Sequence, residues 1–257
     1  MKVALFQYDI AWEDSSANLQ KVERELSKGS AQGAELLILP EMFNTGFSMT
    51  PQTIAESNNG PAMQTIQRLS KEYNIAICGS FAAQQEGRYY NRGFFATPDG
   101  ALYFRDKKHL FSIGKEMENY SPGESNATIH YNGWNIRLLI CYDLRFPVWA
   151  RNCENEYDLL IYVANWPTAR ISSWDTLLPA RAVENEAYVC GCNRIGEDNM
   201  GFAHVGHSAV YDYKGGNILA FNPDEEGIRM VELNKEGLDR FRSKFPAFKD
   251  ADKFVWA

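Results

Sequence analysis

A chain of 257 residues with 45% apolar, 13% aromatic and 23% charged side chains has ample material for a core and none for long disordered tracts. Its formal charge of −7 repels phosphate backbones and anionic lipid, and no Lys/Arg-rich run offers a local exception, so nucleic acid and membrane surfaces are excluded as partners. No apolar run approaches the length of a membrane span, and the N-terminus lacks the long apolar region of a secretory signal, so the five cysteines are expected to be free thiols in the cytoplasm.

The opening VALFQY reads as a strand halted by Asp9. An amphipathic pattern from Ser15 to Ser27 predicts a helix, ELLIL a second strand, Pro61 to Tyr73 a second helix, and IAICGSF a third strand. This β-α-β-α-β rhythm gives way to two alternating runs around Pro98-Asp99-Gly100, a signal of antiparallel pairing that recurs from Thr128 to Ile140 around Asn132-Gly133. After Cys141 the α/β rhythm resumes with a helix from Phe146, the strand DLLIYVA, a long helix from about Ser172 to Glu186, and AYVCGCN; a hairpin at Lys214-Gly215-Gly216 follows. No internal period, low-complexity segment or linker divides the chain, which is expected to form one mixed-sheet α/β domain over residues 1–257.

Three places put a polar residue at the end of an apolar strand, where α/β sheets present their sites. In ELLILPEMFNTGF, Glu41 follows a strand and a proline that fixes the chain as it leaves the sheet. In ALYFRDKKHLF, Lys107 and Lys108 end an antiparallel strand, and alternation points one inward and the other to solvent. In WNIRLLICYDLRFPVWARN, Cys141 closes a strand just before a helix start, so free backbone N–H groups lie beside its sulfur. Taken singly, each has a structural alternative: a loop glutamate, a solvated strand edge, an inert core thiol. Together they supply what amide hydrolysis by a thiol requires, namely a nucleophile, a base to manage protons, and a cation for the developing oxyanion. On this reading the ammonium is expected to lower the thiol pKa.

These motifs resemble those of the nitrilase superfamily of carbon-nitrogen hydrolases. The matching stretches are LILPE ending at Glu41, Lys107-Lys108-His109-Leu110, and Cys141 to Phe146, continuing through VANWP, WDTLLPARAVENEAYV and Gly206-His207-Ser208. The resemblance implies Glu41 as general base, Lys107 as the oxyanion-stabilising lysine, Cys141 as nucleophile and Glu116 as a second glutamate, with Lys108 a bystander. It further implies a four-layer α-β-β-α sandwich of two mixed sheets, no metal or organic cofactor, and a homodimer, with Phe146 to Cys153 and the C-terminal FPAFKDADKFVWA as contact candidates. The forms PEMFNTGF, CYDLRFPVWARN and VANWP look like the omega-amidase branch, which deamidates 2-oxoglutaramate and related monoamides of dicarboxylic acids. Such a substrate needs a cation for its far carboxylate; Arg170 is the candidate and Arg145 the rival. Phe43, Tyr142 and Trp166 are candidates to wall the pocket.

Other readings remain at this stage. The function alternative is an amidase for another small amide or carbamoyl amine, or a non-catalytic relative that binds a small amide. Cys190-Gly-Cys192 with His204 and His207 invites a zinc site, although the spacing departs from common zinc patterns. A Cys141-His109 pair would be a protease-like arrangement.

Overall fold

Side chains along β1 (Lys2–Gln7) divide by parity, Val3 and Leu5 entering one apolar cluster and Ala4 and Phe6 another, so the strand is buried on both faces. The computed structural model describes residues 1–252. After β1 come α1 (Ser15–Ser27), β2 (Leu36–Ile38), α2 (Pro51–Ile54), α3 (Pro61–Tyr73), β3 (Ala76–Gln85), β4 (Arg88–Ala96), β5 (Leu102–Asp106) and α4 (Glu116–Asn119). Then follow β6 (Ile129–Tyr131), β7 (Trp134–Ile140), α5 (Pro147–Ala150), β8 (Leu159–Ala164), α6 (Ile171–Asn185) and β9 (Tyr188–Asn193). The chain continues through β10 (Ile195–Glu197), β11 (Ala203–Val205), β12 (Ala209–Tyr211), β13 (Asn217–Ala220), β14 (Gly227–Glu232) and α7 (Lys235–Lys244).

Helices α1 and α3 form where the periodicity places them. Asp14 caps α1 by accepting from Ala17 N at 2.9 Å, and Asn18, Val22 and Leu26 recur every four residues on its buried face. Pro61 opens α3, and Asn74 in the left-handed region, at φ 50°, closes it. Both cover the outer face of a six-stranded sheet ordered β14-β1-β2-β3-β4-β5. A second sheet, β13-β12-β9-β8-β7-β6, carries α6 on its outer face through Trp174, Leu178 and Ala182. A β-carbon on Gly191 would lie 2.5 Å from Leu178, so the bare backbone lets this helix settle onto β9. Between the sheets, Leu5, Ile38, Cys78 and Phe95 of the first meet Leu138, Ile140, Ile161, Cys190 and Cys192 of the second. The fold is the four-layer α-β-β-α sandwich. In each sheet a parallel trio (β1, β2, β3 and β7, β8, β9) is flanked by antiparallel strands.

The helix expected from Phe146 is a single turn, α5. Phe146 precedes a proline and takes a non-helical φ of −112°, and Arg151 leaves the helical region at ψ 129°. Asn152 then turns the chain inward, donating to Tyr157 O at 2.9 Å and Asn185 O at 3.0 Å. Among the described residues no helix is long and apolar enough to cross a membrane.

Candidate active site

The exits of β2, β7 and β8 converge at one end of the sandwich. Glu41 leaves β2 through Pro40, and the turn is secured by Met42 N donating to Ser80 Oγ at 2.8 Å and Phe43 N to Ser80 O at 2.9 Å. Lys107 stands just past β5, its backbone pinned on two sides: its N–H reaches Asn91 O at 2.9 Å and its carbonyl accepts from Gly123 N at 2.8 Å. A β-carbon on Gly123 would sit 2.2 Å from Asp106 O, so only glycine admits this approach.

Glu41, Lys107 and Glu116 are 0%, 1% and 0% exposed, which makes their pairing obligatory. Lys107 Nζ donates to Glu41 Oε1 at 2.9 Å and to Glu116 Oε2 and Oε1 at 2.9 and 3.1 Å. Glu41 Oε2 also accepts from Asn165 N at 2.8 Å, and Glu116 Oε2 from Phe111 N at 2.6 Å. Burial alone would push the Lys107 ammonium down, yet the carboxylates of Glu116 and Glu41 overcome it and hold its pKa above the usual lysine range. Burial raises the Glu116 carboxyl, and Glu41 adds to the rise while Lys107 opposes it.

Cys141 begins a 3-10 turn, Cys141–Arg145, at φ 46°, a left-handed conformation that a β-carbon disfavours by roughly 1–3 kcal/mol. Asp143 holds this corner. Its Oδ2 accepts from Ile140 N at 3.1 Å, and its Oδ1 accepts from His109 N at 2.9 Å and His109 Nδ1 at 2.8 Å. The turn's far end is held by Arg181, whose Nη2 donates to Leu144 O at 2.7 Å. The thiol faces Glu41 and Lys107, but its pKa is raised rather than lowered. Burial is the main cause, the Glu41 carboxylate adds to it, and the Lys107 ammonium only partly offsets them. The direction is therefore opposite to the lowering expected from the sequence, because burial of the thiol against Glu41 outweighs the ammonium.

The substrate-wall candidates separate. Phe43 is fully buried in the outer core, edge-on to Phe94 at 5.4 Å, beneath α3 rather than with the charged cluster. Tyr142 is half-buried against Phe111 and Phe146, each at 5.1 Å. Trp166 is buried after β8, fixed by its N–H to Asn193 Oδ1 at 2.7 Å and its Nε1 to Arg170 O at 2.8 Å. The Arg145 guanidinium lies over the Trp166 ring at 5.2 Å and that of Arg170 over Phe111 at 5.0 Å; among the described residues neither has a carboxylate partner. Lys108 packs over Trp149 at 5.5 Å.

The zinc reading disperses. Cys190 and Cys192 lie between the sheets, with Cys192 Sγ toward Ile38 O at 3.3 Å, whereas His207 faces Asp175 at 3.1 Å. Among the described residues no group of three or more His, Cys, Asp or Glu is arranged to hold a metal. His109 spends its Nδ1 on Asp143 and stacks on Phe146 at 3.7 Å, so it supports the corner and does not pair with Cys141. A surface cavity of about 520 Å³ lined by Glu35, Asp99 and Asn132 is at the opposite end of the strands, and none of Glu41, Lys107, Glu116 and Cys141 lines it.

Sequence reasoning missed Asn91, Ser80 and Asn165. Asn91 shares its parity on β4 with Phe95, which faces the inter-sheet core, and that was the available signal of an inward polar residue.

The carbon-nitrogen hydrolase family model matches residues 2–243. The chain belongs to the carbon-nitrogen hydrolase family. Family membership makes it a hydrolase of carbon-nitrogen bonds. It is 40% identical to Omega-amidase YafV of Escherichia coli (strain K12), over 100% of this chain and 99% of that protein. It is 31% identical to 2-oxoglutaramate amidase of Bacillus subtilis (strain 168), over 99% and 98%. Among solved structures, XC1258 from Xanthomonas campestris, a CN-hydrolase superfamily protein with an arsenic adduct in its active site, aligns with a TM-score of 0.96 at 36% identity, over 100% and 99% of the two chains. Nit3 of Saccharomyces cerevisiae, of the nitrilase superfamily, aligns with a TM-score of 0.86 at 27% identity, over 96% and 94%.

Proposed function

We propose that the protein hydrolyses small omega-monoamides of dicarboxylic acids, 2-oxoglutaramate among them, to the acid and ammonia through a thioester on Cys141. The observation that carries this reading is the buried cluster in which one ammonium bridges two carboxylates beside a thiol held in a strained, left-handed backbone conformation. As Cys141 Sγ attacks the amide carbon, its proton passes to Glu41, and the oxyanion forms facing the Lys107 ammonium and the N–H groups of the 3-10 turn. Collapse expels the amine, to which Glu41 returns the proton, releasing ammonia. Glu41 then takes a proton from water as it attacks the thioester and returns that proton to the departing sulfur, freeing the acid and the thiol. Glu116 holds the ammonium in place throughout.

The omega-amidase relatives support the substrate class, and the unpaired guanidinium of Arg170, with Arg145 as rival, suits the far carboxylate. An ammonia-release panel of omega-amides, nitriles and carbamoyl compounds tests the assignment. Turnover of 2-oxoglutaramate or succinamate without turnover of nitriles is expected; preferential nitrile hydrolysis overturns it.

The same reading takes the chain as one domain, a homodimer and a cytoplasmic protein. The family match over residues 2–243 and the free cysteines support the first and last. Val148 and Phe245, 50% and 60% exposed, support contact through Phe146 to Cys153 and the C-terminal segment, of which residues 253–257 lie outside the described residues. Light scattering that finds only monomer refutes the dimer.

A further inference from the structure

Two buried carboxylates that share one ammonium leave the site a positive charge short, and a proton shared between them would be the cheap remedy. A side chain on β4 opposes that outcome. Asn91 is fully buried, and its Nδ2 donates to Glu41 Oε1 at 2.7 Å and to Glu116 Oε1 at 3.0 Å. Its orientation is dictated from behind. Ser80 Oγ accepts from Met42 N at 2.8 Å and gives its own hydrogen to Asn91 Oδ1 at 2.9 Å. With its oxygen committed, the amide presents only its NH2 edge to the carboxylates. Because Met42 directly follows Glu41, this ring of hydrogen bonds starts and ends at the exit of β2. Asn91 O also accepts from Lys107 N at 2.9 Å, so one residue fixes the main chain of the cation and both of its anions.

We infer that Asn91, oriented by Ser80, is a positioning residue that keeps Glu41 and Glu116 as two separate proton-free acceptors, so that Glu41 meets the thiol ready to take its proton. The inference rests on the proposed role of Glu41 as base. The titratable groups facing the two carboxylates are Lys107 from the end of β5, Cys141 from the end of β7, and Tyr120 after α4, with Glu13 beyond Tyr120. Tyr120 cannot stand in for Asn91, because its hydroxyl already donates to Ser48 O at 2.8 Å.

The test is the pH profile of Cys141 alkylation by iodoacetamide, followed by intact mass in the wild type, Asn91→Ala and Ser80→Ala. Alkylation needs the Cys141-Glu41 pair to have lost one proton. Losing the amide donors should move the acid limb up by about one pH unit in Asn91→Ala. Ser80→Ala, which keeps the bulk of Asn91, moves it less and in the same direction. The acid limb of kcat/KM for ammonia release follows, while KM changes little. Profiles that superimpose on the wild type, even with lowered rates, overturn the inference, and if Asn91→Ala does not fold then Ser80→Ala alone decides. Alkylation requires no turnover, so a wild type that releases no ammonia defeats the functional reading, whereas unshifted alkylation profiles defeat the role of Asn91.

Discussion

Replacing Lys107 with methionine keeps the length of the side chain and removes one positive charge and three hydrogen bonds, at 2.9, 2.9 and 3.1 Å, from Glu41 and Glu116. Both carboxylates stay fully buried, so the cost is that of an uncompensated buried charge, about 3–5 kcal/mol near neutral pH. The size of the loss depends on pH, and its sign follows from Glu116. Burial already raises that carboxyl despite the ammonium, and removing the ammonium raises it further. A carboxyl whose folded pKa lies above its unfolded value contributes its stability in full below the unfolded pKa and loses it as pH rises through the folded one. The deficit of Lys107→Met relative to the wild type should therefore be smaller near about pH 4 than near about pH 8. Denaturant unfolding at the two pH values, with the slope m checked for constancy, reads this directly. A deficit equal at both ends would refute the claim that the ammonium exists to hold two ionised carboxylates.

Arg170→Ala should lower kcat/KM for an amide bearing a far carboxylate by about 10-fold or more through KM, and leave an uncharged amide nearly unchanged; equal loss on both removes Arg170 from recognition and passes the role to Arg145. Burial, with Arg194 adding to it, pulls the imidazole of His204 down to about 4 from 6.5. The unfolded chain alone is protonated in that window, so His204 takes away stability as pH falls through it, roughly 3 kcal/mol in all, and His204→Gln should flatten the acid side of the stability profile. Gly123→Ala forces a β-carbon to within 2.2 Å of Asp106 O, so it should cost on the order of 1–3 kcal/mol and lower kcat by displacing Lys107; a melting temperature like that of the wild type would contradict this contact.

What the sequence shows and what it hides divide along physical lines. Helices α1 and α3 are legible to the residue because cap, apolar period and stop all act within the segment. The positions of Glu41, Lys107 and Cys141 at strand exits are legible because each follows an apolar strand, and a strand's exit is a local property. The direction of the Cys141 pKa was not legible, since it depends on how deeply the fold buries the thiol against Glu41. Phe43 looks like a pocket wall in sequence, yet Met42 at φ 43° turns the chain so that the ring enters the core under α3. The pairing of β1 with β14, from Lys2↔Glu232 to Gln7↔Gly227, joins opposite ends of the chain and leaves no local signature. Asn91 was hidden for a similar reason: its partners arrive from β2, β3 and α4, and only the assembled register brings them together.

The measurement closest to the central claim is intact-mass trapping of the acyl-enzyme. Quenching a reaction with a small omega-monoamide should reveal an adduct with the mass of the acyl group, mapped to Cys141, alkali-labile as a thioester is, and missing from Cys141→Ala. An adduct that survives that substitution, or turnover by Cys141→Ala at the wild-type rate, would contradict the account.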